Sequence, residues 1–248
     1  MKENMSLYKA FAIIECLSKS DEMSILKLSK ELDLNKSTVY RFLSTLSSLG
    51  YVKQNPSNRN YSLTFKFFQL GRAKSSSQSL SSQVRPYMEK LREKTDESVN
   101  LAIMDGSNVL YIDQVESSNT IRANVEVGKT FPAYSVGVGK AIMAYLPEEE
   151  IIRLFGKVSF VHYTDKTVSS LGQLLKELEN VRKCGYALDD EECMEGLACI
   201  ATPIFSSDVP VAAISVTFPR FRYQAGSEQE KRLIDLLMEM AGSVNELL

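Results

Sequence analysis

Residues 24–52 read SILKLSKELDLNKSTVYRFLSTLSSLGYV, a stretch whose apolar residues recur at helical spacing while one polar face stays free. On a helical wheel from 36 to 49, Val39, Phe42, Leu43, Leu46 and Leu49 fall on one side, and Ser37, Tyr40, Arg41, Ser44 and Thr45 on the other. The first set is expected to pack and the second to face outwards. Upstream, Ile25, Leu28 and Leu32 predict a short helix with Ser24 as its N-cap; the turn Asp33, Leu34, Asn35 buries Leu34 and caps the next helix with Asn35. Two short helices joined by so tight a turn cross steeply. The second presents Lys36, Ser37, Thr38, Tyr40 and Arg41, whose hydroxyls and cations suit phosphates and base edges in a major groove.

After Gly50, residues 51–54 and 60–63 read as two strands around a polar tip at 55–59. Such a wing sets Lys53 and Arg59 beside the DNA backbone or minor groove, where a cation needs no sequence code. Before the motif, Leu7, Phe11, Ile14 and Leu17 predict an amphipathic helix that completes the core of this module and, in a dimer, lies at a subunit contact. A plain helical bundle with a solvated polar face would share the spacing. The continuous order of helix, three-residue turn, Ser/Thr/Arg face and hairpin weighs against it.

The chain has 248 residues, 44% of them hydrophobic, enough for two modest domains, taken as 1–74 and 75–248. Its net charge of −2 is unevenly placed: residues 1–72 hold 11 Lys or Arg against 6 Asp or Glu, and the remainder is acidic by 7. A basic module releases counterions from DNA and an acidic one does not, so DNA contact is expected in the first third alone. Cys16, Cys184, Cys193, Cys199 and the single His162 match no zinc spacing, and no apolar run is long enough for a bilayer. The expectation is a reduced, cytoplasmic protein with no metal, no cofactor and no membrane association.

Beyond the wing, residues 63–73 are helical in pattern, and the run SSSQSLSS at 75–82 suggests a loose linker. From Gln83 a helix resumes on Val84, Met88 and Leu91, followed by period-two runs at 98–104 and 109–115 around a hairpin signal at 105–108. Further helices are expected at 138–145, 148–155, 169–184 and 228–247, with strands at 186–188, 197–204 and 211–218. Hairpins mixed with helices in this way predict an α+β fold, an antiparallel sheet flanked by helices.

Four segments together resemble the IclR family of bacterial transcriptional regulators: LNKSTVYRFLSTLSSLGYV in the helix-turn-helix, SVGVGKAIMAYL at 135–146, CGYALDDEECMEGLACIATPIF at 184–205, and AAISVTFP at 212–219. The resemblance implies an N-terminal winged helix-turn-helix domain and a linker helix. Beyond these comes an effector-binding domain with a GAF-like antiparallel sheet. It also implies a homodimer or dimer of dimers that binds double-stranded operator DNA, more often as a repressor, under control of a small organic or sugar-derived acid. The family's effector site falls on Gly137, Val138, Gly139 and Lys140, on Asp189, on Cys199, and on Ser215 and Thr217. Thr217 stands where serine is common, which keeps a hydroxyl and adds a methyl. Asn35 stands where many members have proline.

The chemistry is sensible in its own right. A glycine-flanked loop opening a helix offers backbone N–H groups to a carboxylate. Ser215 and Thr217 alternate onto one strand face, and Asp189 accepts from a ligand alcohol or hydrate. The duller alternatives are turn chemistry at the loop, a solvated acidic turn at 189–192, and a small core residue at Cys199. The loop fails as a Walker phosphate site because Ala141 occupies the Ser/Thr position. An enzyme with Cys199 as nucleophile and His162 as base has no nucleophile elbow and no group to orient the imidazole. A ligand-binding dimeric sensor or scaffold that ignores DNA is opposed by the charge asymmetry and by the Tyr40/Arg41 face.

Overall fold

The computed structural model describes residues 4–72 and 76–248, which divide into two compact units, Met1–Ser75 and Ser76–Leu248.

The first unit runs α1 (Met5–Ser18), α2 (Ile25–Glu31), α3 (Lys36–Ser48), β1 (Val52–Gln54), β2 (Tyr61–Leu63) and α4 (Lys66–Arg72). Ser24 caps α2 by accepting from the Lys27 N–H at 3.2 Å. The turn into α3 needs the left-handed conformation at Asp33, φ +51°, and Ser29 closes it by donating to the Leu34 carbonyl at 2.5 Å. Asn35 holds the N-cap position, but its side chain makes no capping bond, contrary to expectation. Val39, Leu43 and Leu46 of α3 pack with Ile13, Cys16, Leu17, Leu28, Val52 and Tyr61 into one core. A fully buried Leu or Val contributes about 1.5–3 kcal/mol, so this small cluster carries the unit.

Three expectations change here. Leu49 is exposed because α3 ends at Ser48 and Leu49 is its C-cap. Leu7 and Phe11 are 58% and 57% exposed: α1 is apolar on more than one side, and the side it buries is Ile13, Cys16 and Leu17. Finally, α4 begins only at Lys66, since Leu63 pairs with Val52 to close the hairpin; Ala73 lies outside the described residues.

The second unit begins with α5 (Ser76–Thr95), so the serine-rich run is helical from Ser76 onward and not a loose joint; Ser75 lies outside the described residues. Serine is a middling helix former, but Val84, Met88 and Leu91 are fully buried in the same helix, and packing of one end sustains the other. There follow β3 (Ser98–Asp105), β4 (Asn108–Val115), β5 (Thr130–Pro132), α6 (Gly137–Met143), α7 (Glu148–Phe155), α8 (Leu171–Cys184), β6 (Ala187–Asp190), β7 (Leu197–Ser206), β8 (Val209–Pro219) and α9 (Glu228–Asn245). The six strands form one antiparallel sheet in the order β5-β4-β3-β8-β7-β6. The three-residue β5, absent from the sequence reading, adds an edge against β4.

Helices cover both faces of the sheet. Val84, Met88 and Leu91 of α5 and Leu233 and Leu237 of α9 join Val99, Leu101, Ile200, Ile214 and Val216 on one side. Val138, Ala141 and Ile142 of α6, with Ile151 and Leu178, join Ala102, Ala201 and Ala213 on the other. That second face brings the polar residues together. No helix among the described residues is long and apolar enough to cross a membrane.

Candidate functional site

The outer face of α3 is free. Tyr40 is 57% exposed, Lys36, Ser37 and Arg41 are exposed and Thr38 is half-buried, because Val39, Leu43 and Leu46 take the inward positions of the same helix. In the hairpin, Lys53 pairs with Ser62 and stays exposed, and Arg59 is exposed at the tip with φ +61°. Lys36, Arg41, Lys53 and Arg59 make no salt bridge among the described residues. A helix face and a loop tip with uncommitted cations suit a polyanion.

The wing has an anchor that sequence reasoning missed. Glu22 accepts from Asn55 Nδ2 and Asn58 Nδ2, both at 2.8 Å, and these two bonds hold its carboxyl below the usual carboxylate range. Met23 bridges to Tyr61 beside it, its N–H donating at 2.9 Å and its carbonyl accepting at 2.8 Å. The only sequence signal is the pair of Asn residues at a hairpin tip, which reads as turn chemistry.

In the second unit, strand register assembles a polar strip on the face beneath α6. Asp189 of β6 lies opposite Cys199 of β7, Cys199 opposite Thr217 of β8, and Ser215 of β8 opposite Asn100 of β3. All five side chains are buried, and Asn100 Nδ2 donates to Thr217 Oγ1 at 3.0 Å. Ser215 is 0% exposed, and its Oγ has the Cys199 thiol beside it but no nitrogen or oxygen partner. Asn100 was not foreseen: Val99 and Leu101 are buried too, so the strand shows no alternation to mark its polar side.

Electrostatics sort these groups. Burial pushes the Asp189 carboxyl up to about 6, against the pull of the Glu192 N–H, which donates to Oδ1 at 2.8 Å, and of Lys140. Burial, reinforced by Asp189, pushes the Cys199 thiol up to about 12, although the Thr217 and Ser215 hydroxyls favour its thiolate. Such a thiol is a poor nucleophile at neutral pH. His162 is exposed.

Gly137, Val138 and Gly139 open α6 above the strip, with no side-chain cap from Val136. A Cβ on Gly137 would lie 3.4 Å from Cys199 Sγ, so the helix start sits directly over the strip. Lys140 departs from its expected place in a ligand loop. Its N–H donates to the Val136 carbonyl at 3.2 Å, and its ammonium, in a residue 1% exposed, lies 2.8 Å from Glu177 Oε2 and 2.5 Å from Glu192 Oε1. Burial disfavours that charge, but the two carboxylates outweigh it and hold the ammonium above its ordinary pKa. Sequence inspection counts the lysine and not the partners that neutralise it.

Residues 73–246 match the family described as bacterial transcriptional regulator IclR, C-terminal, and residues 6–56 match the IclR helix-turn-helix domain. The HTH-type transcriptional regulator KdgR of Dickeya chrysanthemi is 36% identical over 226 residues, covering 91% of this chain and 74% of its own length. The transcriptional repressor IclR of Escherichia coli (strain K12) is 32% identical over 218 residues, covering 86% of this chain and 80% of its own. The crystal structure of the Thermotoga maritima IclR is similar with a TM-score of 0.81 at 27% identity, covering 98% of each chain.

Proposed function

This chain belongs to the IclR family of bacterial transcriptional regulators, and we propose that within it the protein is a repressor whose operator binding is modulated by a small hydroxylated or keto acid. It is a DNA-binding regulator and not an enzyme. The repressor role is supported by the similar E. coli protein named a transcriptional repressor.

The observation that carries the effector reading is the fully buried hydroxyl of Ser215, which meets the weakly bonding Cys199 thiol and no nitrogen or oxygen partner. A buried polar group without a partner costs about 1–3 kcal/mol; a thiol offsets only part of that, and a ligand oxygen on the strip offsets the rest. Asn100, Thr217 and Asp189 beside it offer a donor and acceptors for a hydroxyl or keto oxygen. The uncapped amides at the start of α6 receive a carboxylate.

On the DNA side, Lys36, Ser37, Thr38, Tyr40 and Arg41 enter the major groove, and Lys53 and Arg59 contact phosphates alongside. A homodimer, or a dimer of dimers, sets two such helices on a pseudo-palindromic operator. Its support is the exposed apolar face of α1, Leu7, Tyr8 and Phe11, of which Leu7 and Phe11 line a groove with Leu49 and Leu70 of the same unit. An acid that binds one pairing of the effector domains better than another shifts the population between them. Operator binding also places the protein in the cytoplasm.

The test uses the full chain. A duplex selected from a random pool is titrated by fluorescence anisotropy with and without D-gluconate, pyruvate and a panel of related acids. Release of the duplex by one of them supports the reading; an affinity that none alters, in either direction, sinks it.

A further inference from the structure

We propose that Glu192 is the positioning residue of the effector site, holding Asp189 and the start of α6 in one arrangement by tying both to Lys140. The inference rests on the assignment of Asp189 to that site.

Glu192 is held at three points by three different parts of the fold. Its N–H donates to Asp189 Oδ1 at 2.8 Å, which orients the carboxylate toward the strip. Its carbonyl accepts from Thr167 Oγ1 at 2.6 Å, and Thr164 Oγ1 donates to the preceding carbonyl of Glu191 at 2.7 Å. Its side chain meets Lys140 Nζ at 2.5 Å, and the same ammonium reaches Glu177 of α8 at 2.8 Å. One residue therefore joins α6, α8, the 164–167 turn and the end of β6.

The segment after Asp189 needs such a clasp. Glu191 and Gly196 both lie in the left-handed region, φ +64° and +76°, and Met194 between them is exposed with no core contact to fix it. Lys166 and Arg220 hold Asp190 from outside; inward, Thr164 and Thr167 hold the backbone of the turn and Lys140 holds the Glu192 side chain. Without the Lys140 tie two hydroxyl bonds alone hold the turn, which then lifts more often, and with it goes the N–H that aims Asp189. Cys199, opposite Asp189 in register and under Gly137, is then uncovered.

Alkylation by N-ethylmaleimide, followed by mass spectrometry on the full chain, reads this opening at Cys193 and Cys199, with buried Cys16 of the first unit as internal reference. Glu192→Ala and Lys140→Met are each expected to raise labelling at both positions about tenfold or more. The rise should be insensitive to low urea, as for local and not global opening. Glu192→Gln keeps an acceptor for Lys140 and should label near the wild-type rate.

Wild-type labelling of Glu192→Ala overturns the proposal. So does Glu192→Gln labelling as fast as the alanine variant, and so does a rise that grows with urea as steeply as global unfolding. Because the labelling needs no effector, its outcome is separate from whether Asp189 touches one, which the loss of ligand response in Asp189→Ala decides.

Discussion

A Cβ placed on Gly139 would lie 2.1 Å from the carbonyl oxygen of Ala133, inside any tolerable contact. The helix that covers the polar strip thus approaches the preceding turn closely enough that a hydrogen is all the position holds. Gly139→Ala is expected to destabilise the protein by about 3 kcal/mol, the upper end of what overpacking costs, measured by urea unfolding. Gly137→Ala meets only ordinary contacts at 3.4–3.5 Å and should cost much less. Equal stability of the two variants contradicts the packing described.

Two exposed arginines are expected to behave differently. Arg41→Ala should weaken binding to the selected operator by about 1–3 kcal/mol and relax sequence preference, as for a base-reading side chain. Arg59→Ala at the wing tip should weaken all duplexes alike and flatten the salt slope by about one unit. Anisotropy titrations over a salt series, on specific and scrambled duplexes, separate these signatures.

Glu22 touches no DNA on this reading, yet its loss should matter through the wing. Glu22→Ala removes the acceptor for Asn55 and Asn58, and is expected to lower affinity for every duplex without changing which sequence is preferred. The carboxyl sits below its ordinary pKa, so this clasp is fully present above the ordinary carboxylate range and is lost as pH falls through the lowered value. A change of preference in the variant would point to a direct role instead.

Asp189→Asn is expected to abolish the response to an inducing acid while leaving operator affinity near wild type. Burial sets the aspartate at about 6, so its neutral form suits the fold. The stability due to this group is complete below about pH 4, falls as pH rises toward 6 and is level above that. The asparagine variant should therefore be more stable than wild type at pH 7, by up to about 3 kcal/mol, and the gap should close in acid. Unfolding curves at pH 5 and pH 7.5 give the comparison.

Leu7→Ser with Phe11→Ser should leave the first unit folded, since both side chains lie outside its core, but weaken self-association. Sedimentation velocity across a dilution series measures the shift. An unaltered oligomer places the subunit contact elsewhere.

Much of this was legible in the chain itself, for identifiable reasons. Residues 148–155 show clean amphipathic spacing after Pro147, and the helix occupies those residues; Asp105 to Asn108 is turn chemistry between two alternating runs, and β3 and β4 meet there. The face of α3 was readable because its apolar and polar residues separate cleanly on a wheel. In α1 they do not, and spacing selected Leu7 and Phe11 where packing took Ile13 and Cys16. The serine run looked like a break because local composition outweighs, on paper, the burial of Val84 and Met88 further along the helix. Among the strip residues, Ser215 and Thr217 follow from strand alternation. The partners of Lys140 lie 37 and 52 residues downstream, beyond the reach of any local pattern.

Enclosure of Lys140 between two acids leaves the neighbouring strip without a spare positive pole. If the strip receives the proposed acid, discrimination among metabolites falls to dipoles, contour and the tally of hydroxyls, so a duplicated gene can acquire a new inducer through small uncharged exchanges, such as the methyl carried by Thr217, while the ionic frame that fastens the helices stays untouched.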